Sequence, residues 1–149
     1  MDQNERMRIR DLAATYASAV DRRSYPLLAS TFGDKGKLVL PSRLAQAGGV
    51  IVGGTAIAEH IQRLHAVYET TFHILGQQLI ELDGERGSGE TYCTAHHLFE
   101  HDKVQVDRIL HIRYDDTYHS VKGSWRFAER RVNLVIVDYR PVTSQLAAL

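Results

Sequence analysis

The sequence predicts an α+β fold in which three N-terminal helices cover one side of a long, curved antiparallel sheet. Apolar residues recur at helical spacing in the first part of the chain, and from Thr71 onward they alternate with a period of two. Turn-forming pairs of residues interrupt the alternating part at regular intervals. Helices that precede consecutive hairpin-linked strands are typical of an α+β arrangement and not of alternating βα units.

The three helices are predicted between residues 4 and 68. The first covers about residues 4–22, because its apolar side chains recur every three or four positions and form one stripe. The second covers residues 26–32 and ends near Gly33. The third covers residues 56–68, with Thr55 as its N-cap.

A short strand is predicted at residues 37–41, followed by a loop or irregular hairpin at residues 44–54. Hairpin turns are then expected at Asp83-Gly84, His101-Asp102-Lys103 and Lys122-Gly123. These turns separate four long strands, which are predicted at residues 72–83, 86–101, 104–121 and 124–139. Strands of this length must curl, so the helices should close one side of the sheet and leave a pocket lined by both.

The length of 149 residues fits a single domain, with a core at about residues 4–140 and a loose tail after Pro141. The 18 basic and 18 acidic residues cancel, so no net field attracts nucleic acid or an anionic membrane. No apolar run approaches the roughly 20 residues of a membrane helix. The single cysteine, Cys93, excludes an internal disulfide. These features predict a cytoplasmic protein that binds neither nucleic acid nor membrane.

Eight histidines raise the question of a metal site, and their spacing argues against one. On one strand, His97 and His101 would lie roughly 13 Å apart. The adjacent His96 points to the opposite face from His97. His60 and His65 lack the i, i+4 spacing of metal-binding helices. We therefore predict no bound metal.

Asp21 is the first candidate for a chemical role. It follows Ala17 by four residues, which places it at the border of the apolar stripe near the end of the first helix. The helix dipole and partial burial both disfavour a negative charge there, so its pKa is expected to be raised. The alternative is a solvated carboxylate that pairs with Arg22 or Arg23.

His73 is the second candidate and lies at the start of the first long strand. If Thr71 faces inward, then His73, Leu75 and Gln77 share its face. An inward histidine is either a hydrogen-bonded core residue or a catalytic base. A carboxylate on the same cavity would favour the second role, because a His–Asp pair fixes one imidazole nitrogen as a donor and leaves the other as a base.

Four segments, in this order, resemble the SnoaL-like branch of the nuclear-transport-factor-2-like superfamily: IRDLAATYASAVDRRSYPLLASTF, GGTAIAEHI, ETTFHILG and RYDDTYHSVKGSWRFAERRV. The resemblance extends over about residues 8–139 and is strongest to scytalone dehydratase, hexachlorocyclohexane dehydrochlorinase and bile-acid 7α-dehydratase enzymes. It implies a cone-shaped curved sheet wrapped by the helices, with a small-molecule pocket at the open end.

The resemblance also implies roles for individual residues. Val20-Asp21-Arg22-Arg23 and Glu69-Thr70-Thr71-Phe72-His73 match the places of a catalytic Asp and His, which implies an Asp21–His73 dyad. Further positions match residues that contact substrate in such proteins: Tyr16, Tyr68, His97, Tyr114, Asp116 and Arg130.

The predicted function is that of a cofactor-independent lyase or dehydratase acting on a hydrophobic, cyclic, hydroxylated substrate of polyketide or steroid type. One alternative is an isomerase or polyketide-type cyclase, which begins with the same proton abstraction. Another is a non-catalytic binding module or the small subunit of a ring-hydroxylating dioxygenase. Apolar residues occupy both faces of the last strand at residues 134–137, so a homodimer or homotrimer is expected.

Overall fold

The computed structural model describes residues 2–42 and 49–142 and has the predicted α+β architecture. Its helices are α1 (Asp2–Asp21), α2 (Tyr25–Phe32) and α3 (Gly54–Leu64). Its strands are β1 (Lys37–Leu40), β2 (Gly49–Val52), β3 (Thr70–Asp83), β4 (Arg86–His101), β5 (Val104–Val121) and β6 (Ser124–Pro141). The tail expected after Pro141 lies outside the described residues from residue 143 onward.

The prediction for α3 needs two corrections. The helix begins at Gly54, so Gly53 is its N-cap and Thr55 lies within its first turn. A glycine is required at position 54 because a Cβ there would lie 2.0 Å from the carbonyl oxygen of Ala29 in α2. The helix also ends at Leu64, four residues earlier than predicted, which leaves the segment before β3 free to turn.

The sheet is mixed, whereas the sequence predicted an antiparallel one. Its six strands follow the order β2-β1-β6-β5-β4-β3. Strands β3 to β6 are joined by hairpins and are antiparallel, but β1 runs parallel to β6. Because β1 and β6 are far apart in the chain, no hairpin imposes an antiparallel direction on them. The described part of the predicted loop at residues 44–54 includes β2, which pairs with β1.

The long strands meet at the predicted hairpin turns. Asp102, Lys103, Lys122 and Gly123 all have positive φ angles, as two-residue turns between twisted strands require. The bounds of β4 and β5 are those predicted.

One register shift changes which residues of β3 face the helices. A bulge between Leu75 and Gln78 interrupts the alternation, so Gln77 does not share the inner face of Thr71 and His73 as predicted. Gln78 turns inward instead and donates a hydrogen bond to the Thr91 hydroxyl over 2.9 Å. Only the residues of β3 before the bulge lie on the faces of the sheet that the alternation predicted.

The helices pack their apolar stripes against the inner face of the sheet. Ile9, Ala13 and Val20 of α1 are buried there, together with Phe32 of α2 and Phe127 of β6. Aromatic side chains fill this part of the interior, and a cavity occupies the part nearer the start of β3. No helix of the described chain is long and apolar enough to cross a membrane.

Candidate active site

The side chains of Asp21 and His73 are hydrogen-bonded to each other. Asp21 is the last residue of α1, and His73 lies on β3, which passes the end of that helix. The distance from His73 Nδ1 to Asp21 Oδ1 is 2.7 Å. The same carboxylate accepts the His73 backbone N–H at 2.8 Å and the Thr71 hydroxyl at 3.0 Å. Three donors from β3 therefore hold the carboxylate in place. One of them is Nδ1 of the imidazole, so Nε2 is the ring nitrogen that remains free.

The pKa of Asp21 is lowered, which reverses the sequence prediction. Burial is the largest single influence and acts to raise this pKa, as predicted. The hydrogen bonds and charge of His73, with the hydroxyl of Thr71, together outweigh burial and lower the pKa below its ordinary value of 3.8. The alternative was that Asp21 pairs with a neighbouring arginine. Arg23 forms no such pair, because its guanidinium donates to the backbone carbonyls of Tyr68 and Glu69.

His73 reaches a cavity of about 110 Å³ between the sheet and helices α1 and α3. The side chain of His73 forms part of the wall, and Asp21 lies behind it. Apolar residues make up half of the wall, and the polar ones are Tyr16, His60, Tyr68, His73, His97, Arg108 and Tyr114. No acidic side chain belongs to the described part of this wall. The cavity is therefore an apolar space with hydrogen-bonding groups on its surface.

Tyr16 and Tyr114 supply phenol groups to the cavity. Their rings meet edge to face, with centroids 6.2 Å apart. Burial raises the pKa of Tyr16 to about 12, even though the charge of Arg130 acts in the opposite direction. Burial likewise raises the pKa of Tyr114. Both phenols are protonated at neutral pH and can donate hydrogen bonds.

Arg130 and Asp116 do not belong to the cavity wall, although the resemblance implies that both contact substrate. They form a fully buried ion pair, in which Arg130 Nε and Nη2 donate to the two carboxylate oxygens at 2.9 and 2.8 Å. The guanidinium carbon lies 4.5 Å from the ring centre of Tyr16 and 4.1 Å from that of Tyr114. These two rings separate the pair from the cavity, so Arg130 acts on the site from beneath the tyrosines.

Burial alone would lower the pKa of Arg130, but the charge and hydrogen bonds of Asp116 raise it, so the guanidinium stays protonated. Its positive charge lies under the faces of both phenol rings. This charge lowers the pKa of Tyr16 and so offsets part of the effect of burial.

His97 and Tyr68 lie beside His73 on the wall. The His97 ring centre is 5.8 Å from that of His73 and 5.0 Å from that of Tyr68. Burial, followed by the charge of His73, lowers the pKa of His97 to about 4. His97 is therefore neutral at physiological pH.

Arg108 is a wall residue that the sequence analysis missed. It lies on β5 with the inward parity of Leu110, Ile112 and Tyr114, and its Nη1 donates to the Tyr68 hydroxyl at 2.9 Å. The sequence signal that could have identified Arg108 is its position. It is an arginine on the inward face of β5, where the neighbouring residues are apolar.

A second His–Asp pair lies on the opposite, outer face of the sheet. His96 Nδ1 is 2.7 Å from Asp107 Oδ2. His96 and His97 thus point to opposite faces, as predicted. Within residues 2–42 and 49–142, no group of three or more His, Cys, Asp or Glu side chains is placed to hold a metal ion.

A helix-covered, curved sheet around a cavity of this kind defines the nuclear-transport-factor-2-like fold. The sequence profile of the SnoaL-like domain matches residues 2–131, and the chain belongs to that family. An uncharacterized protein of Mycobacterium tuberculosis is 24% identical over 130 residues, which are 85% of this chain and 83% of the relative.

Two solved structures share the fold at low sequence identity. A scytalone dehydratase-like protein of Novosphingobium aromaticivorans has a TM-score of 0.78 at 18% identity, over 92% of this chain and 88% of its own. A hexachlorocyclohexane dehydrochlorinase of Novosphingobium barchaimii has a TM-score of 0.79 at 15% identity, over 97% and 94% of the two chains. At these identities the two structures show that the fold is shared.

Proposed function

We propose that this protein is a cofactor-independent lyase of the dehydratase type, with His73 as its catalytic base. The observation that carries the proposal is the 2.7 Å contact between His73 Nδ1 and Asp21, which leaves Nε2 available at an apolar cavity. General-base catalysis by a positioned imidazole typically contributes about 10²–10⁴ in rate. Nothing in this step needs a group other than side chains of the chain itself.

The reaction begins when His73 Nε2 removes a proton from a carbon next to a carbonyl group. The electron pair of the broken C–H bond moves toward the carbonyl, whose oxygen gains negative charge. A phenol of Tyr16 or Tyr114 donates a hydrogen bond to that oxygen, and such a donor is worth about 3–4 kcal/mol in a dry site. The electron pair then returns to expel the hydroxyl group on the neighbouring carbon, which leaves as water with the proton carried by His73.

Asp21 acts as a positioning residue in this mechanism. It holds the imidazole in the tautomer that has Nε2 free, and its negative charge stabilises the imidazolium that forms after proton transfer. The lowered pKa of Asp21 supports this role, because an ionised carboxylate is needed for both effects.

The substrate in this proposal is a hydrophobic ring compound that carries a hydroxyl group. The predicted substrates range from polyketide-like to steroid-like molecules. The cavity volume of about 110 Å³ favours the smallest of these. An apolar cavity of about 150 Å³ is known to hold one benzene molecule, so the space enclosed here fits a single ring at most.

An isomerase or cyclase would use the same base and donors, and the products distinguish these reactions. We expect incubation with small cyclic hydroxy-ketones in deuterated water to yield a product that has lost water, as measured by mass spectrometry. A product that has lost no water and has gained deuterium at carbon would indicate an isomerase. If no such compound is converted or exchanges a proton, the proposal of a catalytic base is wrong.

A non-catalytic module, including a dioxygenase small subunit, is the weaker candidate. That interpretation anticipates an interior filled by side chains such as Phe72, Phe99 and Tyr118. Tyr118 is buried in the interior, as that interpretation anticipates, but Phe72 lies on the outer face with 58% of its surface exposed and a cavity remains. A hollow interior beside a hydrogen-bonded His and Asp favours the enzyme.

We also propose that the protein forms a homodimer or homotrimer in the cytoplasm. Phe72, Ile74 and Ile136 are 58%, 49% and 57% exposed on the outer face of the sheet, a surface that a second copy would cover. Cys93, the one cysteine, is a buried free thiol, which suits a reducing compartment.

Light scattering at micromolar concentration is expected to give the mass of two or three chains. Ile136→Asp should shift the protein to the monomer, because a charge would be buried in the interface. Val67→Asp, at a residue 64% exposed away from this sheet face, is the matched control and should leave the mass unchanged. A monomeric wild-type protein would contradict the assembly.

A further inference from the structure

Arg108 is the one permanently charged side chain in the described part of the cavity wall. Its Nη1 donates to Tyr68, whereas its Nε is buried and has no hydrogen-bond partner. Among residues 2–42 and 49–142, no carboxylate lies within ion-pair distance of this guanidinium. By contrast, Arg130 and Arg113 each lie beside an acidic residue.

The carboxylates closest to Arg108 along the chain and across the sheet are engaged elsewhere. Asp107 is the preceding residue, but it points to the outer face and pairs with His96. Glu69 follows Tyr68 and accepts a hydrogen bond from Gln105 at 3.0 Å. The ring of Tyr139 is 6.0 Å from the guanidinium carbon, a contact that satisfies none of its N–H donors.

A half-buried cation without a counter-charge is unfavourable in an apolar space, and a ligand that supplies the negative charge would relieve this. A guanidinium presents several N–H donors in a plane, which matches the two oxygens of a carboxylate. The Tyr68 hydroxyl accepts from Arg108, so its own proton is available for a ligand. Arg108 and Tyr68 therefore offer donors to the same region of the cavity.

The wall connects this region to the base. His73 contacts His97 ring to ring, His97 contacts Tyr68 in the same way, and Tyr68 is hydrogen-bonded to Arg108. All four residues face one cavity of single-ring size. A small molecule held at Arg108 can therefore present another part of its ring to His73.

We propose that Arg108 and Tyr68 form an anion-binding subsite, and that the substrate is a small ring compound with a carboxylate group. The carboxylate binds the guanidinium and the phenol hydroxyl, and the ring extends toward His73. The role of this subsite in catalysis rests on the proposed function, whereas its ability to bind a carboxylate does not.

Benzoate and benzamide are suitable probes, because they share one ring and nearly one shape but differ in charge. We expect the wild-type protein to bind benzoate at least about tenfold more tightly than benzamide, measured by calorimetric or NMR titration in low-salt buffer. Arg108→Met should abolish this preference, and Arg108→Lys should keep part of it. A thermal melt of each variant verifies that it is folded.

Arg113→Met is the matched control, since Arg113 lies on the same strand, faces outward and pairs with Glu90. It should keep the full preference for benzoate. His73→Ala should also keep it, so failure of the proposed catalysis and failure of the subsite are distinguishable. Equal binding of the two probes by the wild type, absence of saturable benzoate binding, or an unchanged preference in folded Arg108→Met would each overturn the proposal.

Discussion

Replacing His73 with alanine is expected to remove turnover while leaving ligand binding nearly intact. The substitution deletes the imidazole that faces the cavity and leaves the phenols of Tyr16 and Tyr114 in place. We expect kcat on an identified substrate to fall by about 10²–10⁴ with a small change in the dissociation constant. Asp21→Asn should cause a smaller loss, because the base remains but its orientation and charge partner are weakened.

His96→Ala provides the matched control for this experiment. His96 also forms a 2.7 Å contact with an aspartate, but it lies on the outer face of the sheet. The His96→Ala variant should retain the wild-type kcat. The comparison then distinguishes the effect of losing a histidine elsewhere from the effect of losing the catalytic base. Full activity of His73→Ala would show that the base is another residue.

Breaking the buried ion pair of Arg130 and Asp116 is expected to have the largest effect on stability. Both side chains are 0% exposed, so Arg130→Met leaves an uncompensated negative charge in the interior. Removal of one partner of a buried pair typically lowers the free energy of unfolding by about 3–5 kcal/mol. Urea denaturation followed by circular dichroism would measure the difference.

The double substitution Arg130→Met with Asp116→Leu tests the cause of this loss. Two apolar side chains remove both charges together, so the double variant should recover most of the stability that the single variant loses. Arg131→Met is the control, because Arg131 is exposed beside Glu129 and its replacement should change stability by less than about 0.5 kcal/mol. A single variant as stable as the control would mean that the buried charge is neutralised in some other way.

Much of the fold could be predicted because the local signals were strong. The alternation of β4 and β5 and the turn residues Asp102-Lys103 and Lys122-Gly123 determine where those strands begin and end, and the structure has the same bounds. The helical stripe of α1 was equally clear. The packing of α1 against β3 could not be predicted, because residue spacing within one element carries no information about the element it packs against. The juxtaposition of Asp21 and His73 was therefore an expectation from family resemblance.

The errors arose where distant parts of the chain decide the outcome. The parallel pairing of β1 with β6 depends on packing between segments that no hairpin joins. The bulge after Leu75 adds a residue to one strand only, and the one local signal for it, Gly76 within the strand, was not used in the prediction. The pKa of Asp21 was predicted from its helix and from burial, whereas the decisive influences are the donors of β3. Arg130 was expected at the substrate because burial behind two tyrosines is not visible in a sequence.

Asp21, the last residue of α1, is held by hydrogen-bond donors that all belong to β3. The reactivity of the His73 imidazole therefore depends on the contact between α1 and β3. A displacement of the end of α1 would take the carboxylate away from His73. If His73 is the base that we propose, substitutions at the contact between α1 and β3 would change the rate without changing the cavity wall.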